Sequence, residues 1–425
     1  METAAQSPQK SIITCDLEGR IETFSKGAEQ VFGYPAAEVI GKKRVSLFSP
    51  GLTVLEHVPR WLASSVRDGA HETETVFVRK DGTRFPAKIK ITPTFRAGKQ
   101  IGYCGITQPL PAEKLETAAP KISLSTRIFA ALVVTRAPFL SATIIPVLLA
   151  TAYLSWKRET VDLVLFALTM LGACALHVAA NTFNDLFDWQ SGADEGNNDY
   201  FLPFSGGSRS IELGLISEQG LARLAWASLG VASLCGALLA WRQGPVLLTY
   251  GLFGAFAAYF YTAPPLRLVA RRGLGELLVG LCFGPLMTAG TFTALSGRID
   301  PTAFLIGLPV GLLTTAILWI NEFPDAESDA RVGKNHLVVT LGKGAARFGY
   351  LALVVGAFAI LAALMGTGLL PAKAALAALT LPVALFATIT LFKHYQARDL
   401  IRGNGATIAL QGLFGLLMAI GLWLA

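Results

Sequence analysis

Apolar and polar positions change their pattern near residue 127. Upstream, short runs of alternating apolar and polar residues are punctuated by Gly, Pro and Asp. Downstream, long apolar runs recur to the C-terminus. In the upstream part, residues 11–15 and 20–24 predict two short strands joined by the polar turn Asp16-Leu17-Glu18-Gly19. Pro35 ahead of residues 36–40, with Gly41 behind them, predicts a short helix on the Pro-first, Gly-last rule. Phe85, Ala87, Ile89 and Ile91 alternate with Lys88 and Lys90, the period of a half-buried strand. The Asp-Gly pair in Lys80-Asp81-Gly82-Thr83 predicts a hairpin before it, and a last strand falls at 100–107. Residues 108–126, rich in Pro, Ala and charge, predict a linker ending in a short interfacial helix.

Downstream, a bilayer-spanning helix needs about 20 mostly apolar residues. Nine stretches qualify, near 132–154, 161–183, 222–241, 244–263, 274–296, 302–321, 347–368, 372–392 and 405–425. The connections after the second and sixth are long and polar, and those after the fourth and eighth are basic. With the N-terminus in the cytoplasm, the even-numbered helices end there too. Their loops hold Arg209, Arg267, Arg271, Arg272, Arg331, Lys334, Lys343, Arg347, Lys393, Arg398 and Arg402. The other side holds only Lys157, Arg158, Arg242, Arg298 and Lys373, as the positive-inside rule requires. The polar first ten residues lack the apolar region of a signal peptide, which agrees with that orientation.

Composition sharpens this division. Charged residues are 15% of the 425, against about 25% in ordinary soluble domains, and mean hydropathy is +0.51. The net charge of +7 would suggest nucleic acid in a soluble chain, but the loops of a membrane protein collect Lys and Arg anyway, so no nucleic-acid partner is expected. Cys15, Cys104, Cys174, Cys235 and Cys282 are scattered and form no CxxC. They suit neither a disulfide framework nor a zinc site and are expected as buried thiols.

The candidate chemistry lies at two helix ends. The second apolar stretch closes on Asn181, Asn184, Asp185 and Asp188, followed by Asp194. The sixth closes on Asn321, Glu322, Asp325, Glu327 and Asp329. Asn184 and Asp188 are four residues apart, and Asn321, Asp325 and Asp329 repeat that spacing, so each set shares one helical face. Carboxylates at the ends of apolar helices are costly unless paired, hydrated or bound to a cation. Stacked carboxylate and amide oxygens suit magnesium, which takes few protein carboxylates together with waters and substrate phosphates. Two such clusters four helices apart would seat a diphosphate from both sides. They also suggest a pseudo-repeat of four-helix units.

Two family resemblances follow from these residues. "DLEGRIETFSKGAEQVFGYPAAEVIGK" and "VRKDGTRFPAKIKITP" resemble the PAS family, which implies sensing or dimerisation with an unidentified ligand. His57 is there either a haem ligand or, in the plainer reading, an exposed or packed histidine. "NDLFDWQSGAD" and "NEFPDAESDARVGKNHLVVTLG" resemble the two aspartate-rich motifs of the UbiA superfamily. "PFSGGSR", "YTAPPLRLVARRGLGEL" and "TRAPFLSATIIPVLLA" resemble its menaquinone-pathway branch.

The second resemblance implies transfer of an isoprenyl group from a polyprenyl diphosphate to an aromatic acceptor, with Mg2+ as cofactor. By matching position, Asn184, Asp188, Asp325 and Asp329 are the magnesium ligands, and Asp185 and Asp194 are secondary acidic positions. Asn321, Arg209 and Lys334 are placed at the diphosphate, and Tyr261 and Thr262 beside the reacting carbon. Asp188 and Asp325 are the residues on which turnover should depend most. Arg136 meets either the acceptor carboxylate or, as a snorkelling side chain, the membrane interface. Gly192 stands four residues after Asp188, where other UbiA branches carry an Asp. That departure speaks against the 4-hydroxybenzoate and haem O branches.

The expected architecture is therefore α+β and multi-domain: a tail at 1–10, a PAS-like α/β sensor at 11–107, a linker at 108–126, and an all-α, nine-helix UbiA-type transmembrane bundle at 127–425. It is expected as a multi-pass protein of the inner (plasma) membrane in contact with lipid. The PAS-like domain and active-site loops would be cytoplasmic and the C-terminus on the opposite side. A PAS-mediated dimer and PAS control of activity are further expectations. Two alternatives remain open at this point: a UbiA-type enzyme with another acceptor, and a PAS-linked membrane receptor or transporter.

Overall fold

The computed structural model describes residues 10–49, 51–192 and 207–425. It divides into two compact units, Met1–Val134 with Arg209–Ser217, and Thr135–Ser208 with Glu218–Ala425.

In the first unit, β1 (Ser11–Asp16), β2 (Ile21–Phe24), β3 (His71–Val78), β4 (Arg84–Arg96) and β5 (Lys99–Pro109) form one antiparallel sheet in the order β2-β1-β5-β4-β3. Helices α1 (Lys26–Phe32), α2 (Ala36–Val39), α3 (Gly51–Glu56) and α4 (Val58–Asp68) fill the connection from β2 to β3. Helix α1 starts where Ser25 Oγ accepts from the Ala28 amide and stops at Gly33, whose φ of 77° favours glycine. Apolar alternation orients the sheet: Phe85, Ala87 and Ile91 are buried, and Lys88 and Lys90 point outward. There they pair with Glu72 of β3 at 2.8 and 3.4 Å. Phe32, Phe48, Phe77 and Phe85 fill the core, the closest rings 4.2 Å apart.

The β3–β4 connection is five residues, longer than the two of the tightest hairpins. Gly82 supplies a φ of 83° and the Thr83 amide donates to Asp81 Oδ1 at 2.9 Å. His57 is packed, lying 6.0 Å from the Trp61 ring while its Nε2–H donates to the Lys121 carbonyl at 3.0 Å. The expected linker holds the short α5 (Leu115–Ala118) and the first turn of α6 (Leu124–Val134). Leu124, Ile128 and Leu132 of α6 form an exposed apolar stripe at i, i+4 and i+8.

In the second unit the helices are α7 (Ser141–Trp156), α8 (Leu163–Ser191), α9 (Glu218–Gln243), α10 (Val246–Phe260), α11 (Leu274–Leu281), α12 (Met287–Ser296), α13 (Pro301–Arg331), α14 (Leu337–Leu341), α15 (Lys343–Gly366), α16 (Leu381–His394) and α17 (Ile401–Trp423). A 3-10 turn extends α7 and α17 at their starts, the nine-residue 3-10 segment Ala372–Thr380 leads into α16, and a π-helical turn over Cys282–Leu286 joins α11 to α12. Eight helical spans among the described residues are long and apolar enough to cross a membrane. The fourth of the nine expected stretches is the exception, because α10 is only 15 residues long. Pro245 caps its start. Beyond its end, Pro264 disfavours helical backbone at Ala263.

Helix α13 is central, touching α7, α11, α12, α15 and α17. Its approach to the α11–α12 segment depends on glycines. A Cβ on Gly284 would lie 2.4 Å from Gly311 Cα and one on Gly307 2.7 Å from the Gly284 carbonyl. Gly280 and Gly284 thus oppose Gly307 and Gly311, two small-residue repeats at four-residue spacing that let backbones meet.

The two motif-bearing helices are overlong. Helix α8 has 29 residues and α13 has 31, whereas about 20 suffice to cross a bilayer. The surplus turns at their C-terminal ends carry the polar motifs. Gly192, with φ 74°, ends α8 one turn after Asp188.

Candidate active site

A cavity of about 990 Å3 runs through the second unit, and both polar helix ends open onto it. Asn181, Asn184 and Asp188 of α8 line it, as do Asn321, Asp325 and Asp329 of α13, with Tyr261, Lys334 and Arg136. Most of the remaining wall is apolar, with Leu176, Leu278, Phe283 and Leu318 among it. The i, i+4 spacing read from the sequence explains why these oxygens share one wall of each helix.

Lys334 joins the two motifs. Its Nζ donates to Asp188 Oδ2 at 3.1 Å and lies 3.9 Å from Asp329 Oδ1. The backbone places it, because the Lys334 amide donates to the Asp329 carbonyl at 2.9 Å as the chain leaves α13. Burial opposes the ammonium charge, but the Asp188 and Asp329 carboxylates outweigh it and raise the pKa of Lys334 above the usual lysine range.

Hydrogen bonds fix the other motif residues. Asn184 Nδ2 donates to Thr262 Oγ1 at 2.7 Å, which leaves Asn184 Oδ1 as the atom it can offer a cation. Asp188 Oδ1 is buried with no hydrogen-bond partner. Pro324 inside α13 has no N–H, so the Ile320 carbonyl lacks its helical donor. Asn404 of α17 takes that place: its Nδ2 lies 3.4 Å from the Ile320 carbonyl and donates to Asn321 Oδ1 at 2.7 Å. Asn404 escapes sequence reasoning because it sits alone in an apolar helix, 83 residues from its partner.

Three expected residues stand differently. The Arg136 guanidinium pairs with the buried Asp185 Oδ1, which also accepts from the Ser208 amide at 3.3 Å. Arg136 therefore braces Asp185 while lining the cavity. Arg209 belongs to the first unit, where it donates to Glu212 Oε2 at 2.6 Å. Asp194 lies outside the described residues.

Four further polar groups had no role in the sequence reading, although Glu322 was read there as part of the second motif. His177, two turns before Asn184 on α8, lines the cavity, and its Nδ1 lies 2.7 Å from Thr143 Oγ1. Glu276, Glu322 and His336 are buried together, and Glu322 and His336 line the cavity beside the second motif. His177 and Asn184 lie seven residues apart on one helix face, a spacing that could have flagged His177.

The UbiA prenyltransferase family matches residues 143–404, and the PAS domain family matches 9–108. The 1,4-dihydroxy-2-naphthoate octaprenyltransferase of Bacillus subtilis (strain 168) is 30% identical over 294 residues, spanning 68% of this chain and 90% of that protein. The apo structure of a UbiA homologue from Aeropyrum pernix K1 has a TM-score of 0.51 and 18% identity, covering 65% of this chain and 97% of its own. A UbiA homologue from Archaeoglobus fulgidus bound to DMAPP and Mg2+ has a TM-score of 0.50 at 16% identity, covering 68% and 98%. At such identity the two structures bear on the fold alone. The family match, the Bacillus relative and the apolar helices agree: this multi-pass membrane protein belongs to the UbiA prenyltransferase family and carries a PAS domain at its N-terminus.

Proposed function

We propose that this protein transfers an isoprenyl chain from a polyprenyl diphosphate to an aromatic acceptor of the 1,4-dihydroxy-2-naphthoate kind, in menaquinone biosynthesis, with magnesium as cofactor. The observation that carries this reading is Lys334 bridging Asp188 and Asp329 at the polar mouth of one apolar cavity. The activity in the Bacillus relative's name supports the acceptor. The donor set fits a hard cation. Asn184 Oδ1, the unpartnered Asp188 Oδ1, and the Asp325 and Asp329 carboxylates are all oxygens on one cavity.

Asn184, Asp188, Asp325 and Asp329 would hold magnesium, which supplies Lewis-acid neutralisation of the diphosphate when bound. Lys334 adds positive charge where the leaving diphosphate gains its electron pair. Asn321, held by Asn404, orients the diphosphate, and Asp185 and Asp194 support the first motif. Tyr261, whose buried hydroxyl has no partner, and Thr262, which fixes Asn184, stand where the prenyl carbon loses oxygen. The tyrosine ring shelters the developing allylic cation. The acceptor ring attacks that carbon, with its carboxylate toward Arg136. The apolar wall takes the prenyl tail and excludes water.

The protein is placed in the inner (plasma) membrane, with the PAS domain and active-site loops cytoplasmic and the C-terminus opposite. The PAS domain, through an unidentified ligand and as a dimer, tunes the activity. Magnesium-dependent transfer from a labelled polyprenyl diphosphate to a naphthoate acceptor tests the main reading. Asp188→Ala and Asp325→Ala should each lose turnover by about 100-fold or more while keeping the helical circular dichroism of the parent. Near-normal transfer by both defeats the assignment. Deleting residues 1–110 without effect under any condition tried ends the regulatory part.

A further inference from the structure

Beside the second motif, three side chains from separate elements converge, and two of them, Glu322 and His336, line the same cavity as Asp325 and Asp329. Glu276 of α11, Glu322 of α13 and His336, which caps α14, are 2%, 6% and 0% exposed. One ligand atom from each lies within 4.8 Å of the others. Glu276 Oε1 accepts from the Leu337 amide at 2.6 Å, but Glu276 Oε2 and both oxygens of Glu322 have no hydrogen-bond partner. Lys334, the neighbouring cation, is already shared by Asp188 and Asp329.

The imidazole shows what is missing between them. His336 Nε2 lies 3.2 Å from Asp329 Oδ2, so Nε2 carries the proton and donates. Nδ1 then holds a lone pair, consistent with its role as the acceptor facing the Val339 amide at 3.4 Å. Yet Glu322 Oε2 also faces Nδ1, at 3.4 Å. The unpartnered carboxylate oxygens of Glu276 and Glu322 share one buried space with His336 Nδ1, which the Val339 amide meets only at 3.4 Å. A histidine whose far N–H is held by a carboxylate is also the usual arrangement of a metal-bound imidazole.

We propose that Glu276, Glu322 and His336 form a second divalent-cation site, distinct from the diphosphate-binding magnesium seat. The mixed nitrogen and oxygen donors select a cation of the manganese, iron(II) or zinc class, because magnesium favours oxygen donors alone. The site is tied to catalysis through one bond: His336, held by the cation at Nδ1, fixes Asp329 through Nε2–H. The bound cation is thus a positioning device for the second motif. This goes beyond the prenyl-transfer reading and stands on different atoms.

The test uses the full-length protein in lipid nanodiscs, stripped of metal with chelator and titrated with Mn2+ under pulsed EPR. Without diphosphate, one Mn2+ should bind per chain and show 14N modulation from imidazole. His336→Gln should abolish that modulation. Glu322→Gln should weaken Mn2+ binding by about ten-fold or more, and Asp188→Ala should leave the signal intact. Geranyl diphosphate should then recruit further Mn2+ with 31P coupling and no 14N modulation. No diphosphate-independent Mn2+, or bound Mn2+ without 14N modulation, overturns the second site. Modulation that survives His336→Gln also overturns it. Failure of the 31P-coupled signal alone would instead count against the diphosphate reading.

Discussion

Replacing Lys334 by Met keeps most of the side chain's apolar stem and removes its charge. Nζ lies 3.1 Å from Asp188 Oδ2 and 3.9 Å from Asp329 Oδ1. Those two oxygens are therefore no more than about 7 Å apart, and at an effective dielectric of about 20 their charges repel by about 2 kcal/mol or more. In the parent the ammonium cancels that repulsion. In the variant two carboxylates stay buried with their shared partner gone, and losing one member of a buried ion pair costs about 3–5 kcal/mol. Lys334→Met should therefore be markedly less stable without metal, and added Mg2+ should recover more stability in the variant than in the parent. In catalysis the loss is that of a preorganised positive group beside the leaving diphosphate, about 100- to 1,000-fold in kcat. The assay is steady-state prenyl transfer across a magnesium titration, with thermal unfolding followed on the same samples. A kcat within three-fold of the parent at every magnesium concentration would refute the reasoning, whatever happened to stability.

Other consequences follow from the packing and from the PAS domain. A Cβ on Gly311 would lie 2.4 Å from the Gly280 carbonyl, so Gly311→Val must push α13 off the α11–α12 segment. It should cost about 1–3 kcal/mol or more, seen as a lower unfolding midpoint in detergent. Gly412→Val, which meets nothing within 4 Å, should leave the midpoint unchanged, and equal midpoints for the two would contradict the close approach. Burial, helped by the Asp16 charge, pushes the Cys15 thiol up to about 12. At pH 8 only about one thiol in ten thousand is then thiolate, and alkylation should speed up tenfold per pH unit as the pH rises toward that value. Peptide mass spectrometry after iodoacetamide treatment reads this, and native labelling as fast as in denaturant would disprove it.

Much of this protein could be read along the chain because its strongest signals are local. Bilayer-length apolar runs placed the membrane helices, since no water is available there to hydrate a broken backbone. Two-residue alternation in β4 and the Asp81-Gly82 turn placed the hairpin of the PAS domain. The four-residue spacing of Asn184 with Asp188, and of Asn321 with Asp325 and Asp329, already put those side chains on common faces. Even the shortness of α10 was written in Pro245 and Pro264, though the apolar run hid it.

What the folded structure decided is how distant segments meet. Hydropathy gives no sign that Lys334 would stand between Asp188 and Asp329, 146 residues separating it from the first. Nor does it show that Gly280 and Gly284 would face Gly307 and Gly311. Asn404 is an isolated polar residue until Pro324 deprives the Ile320 carbonyl of its donor. Glu276 stands in an apolar helix and Glu322 at the end of one, and only the packing brings both against His336. Local periodicity determines which face a side chain occupies, because backbone geometry repeats. Which faces then oppose one another depends on long-range packing and on where buried polar atoms find partners, and those are properties of the whole bundle.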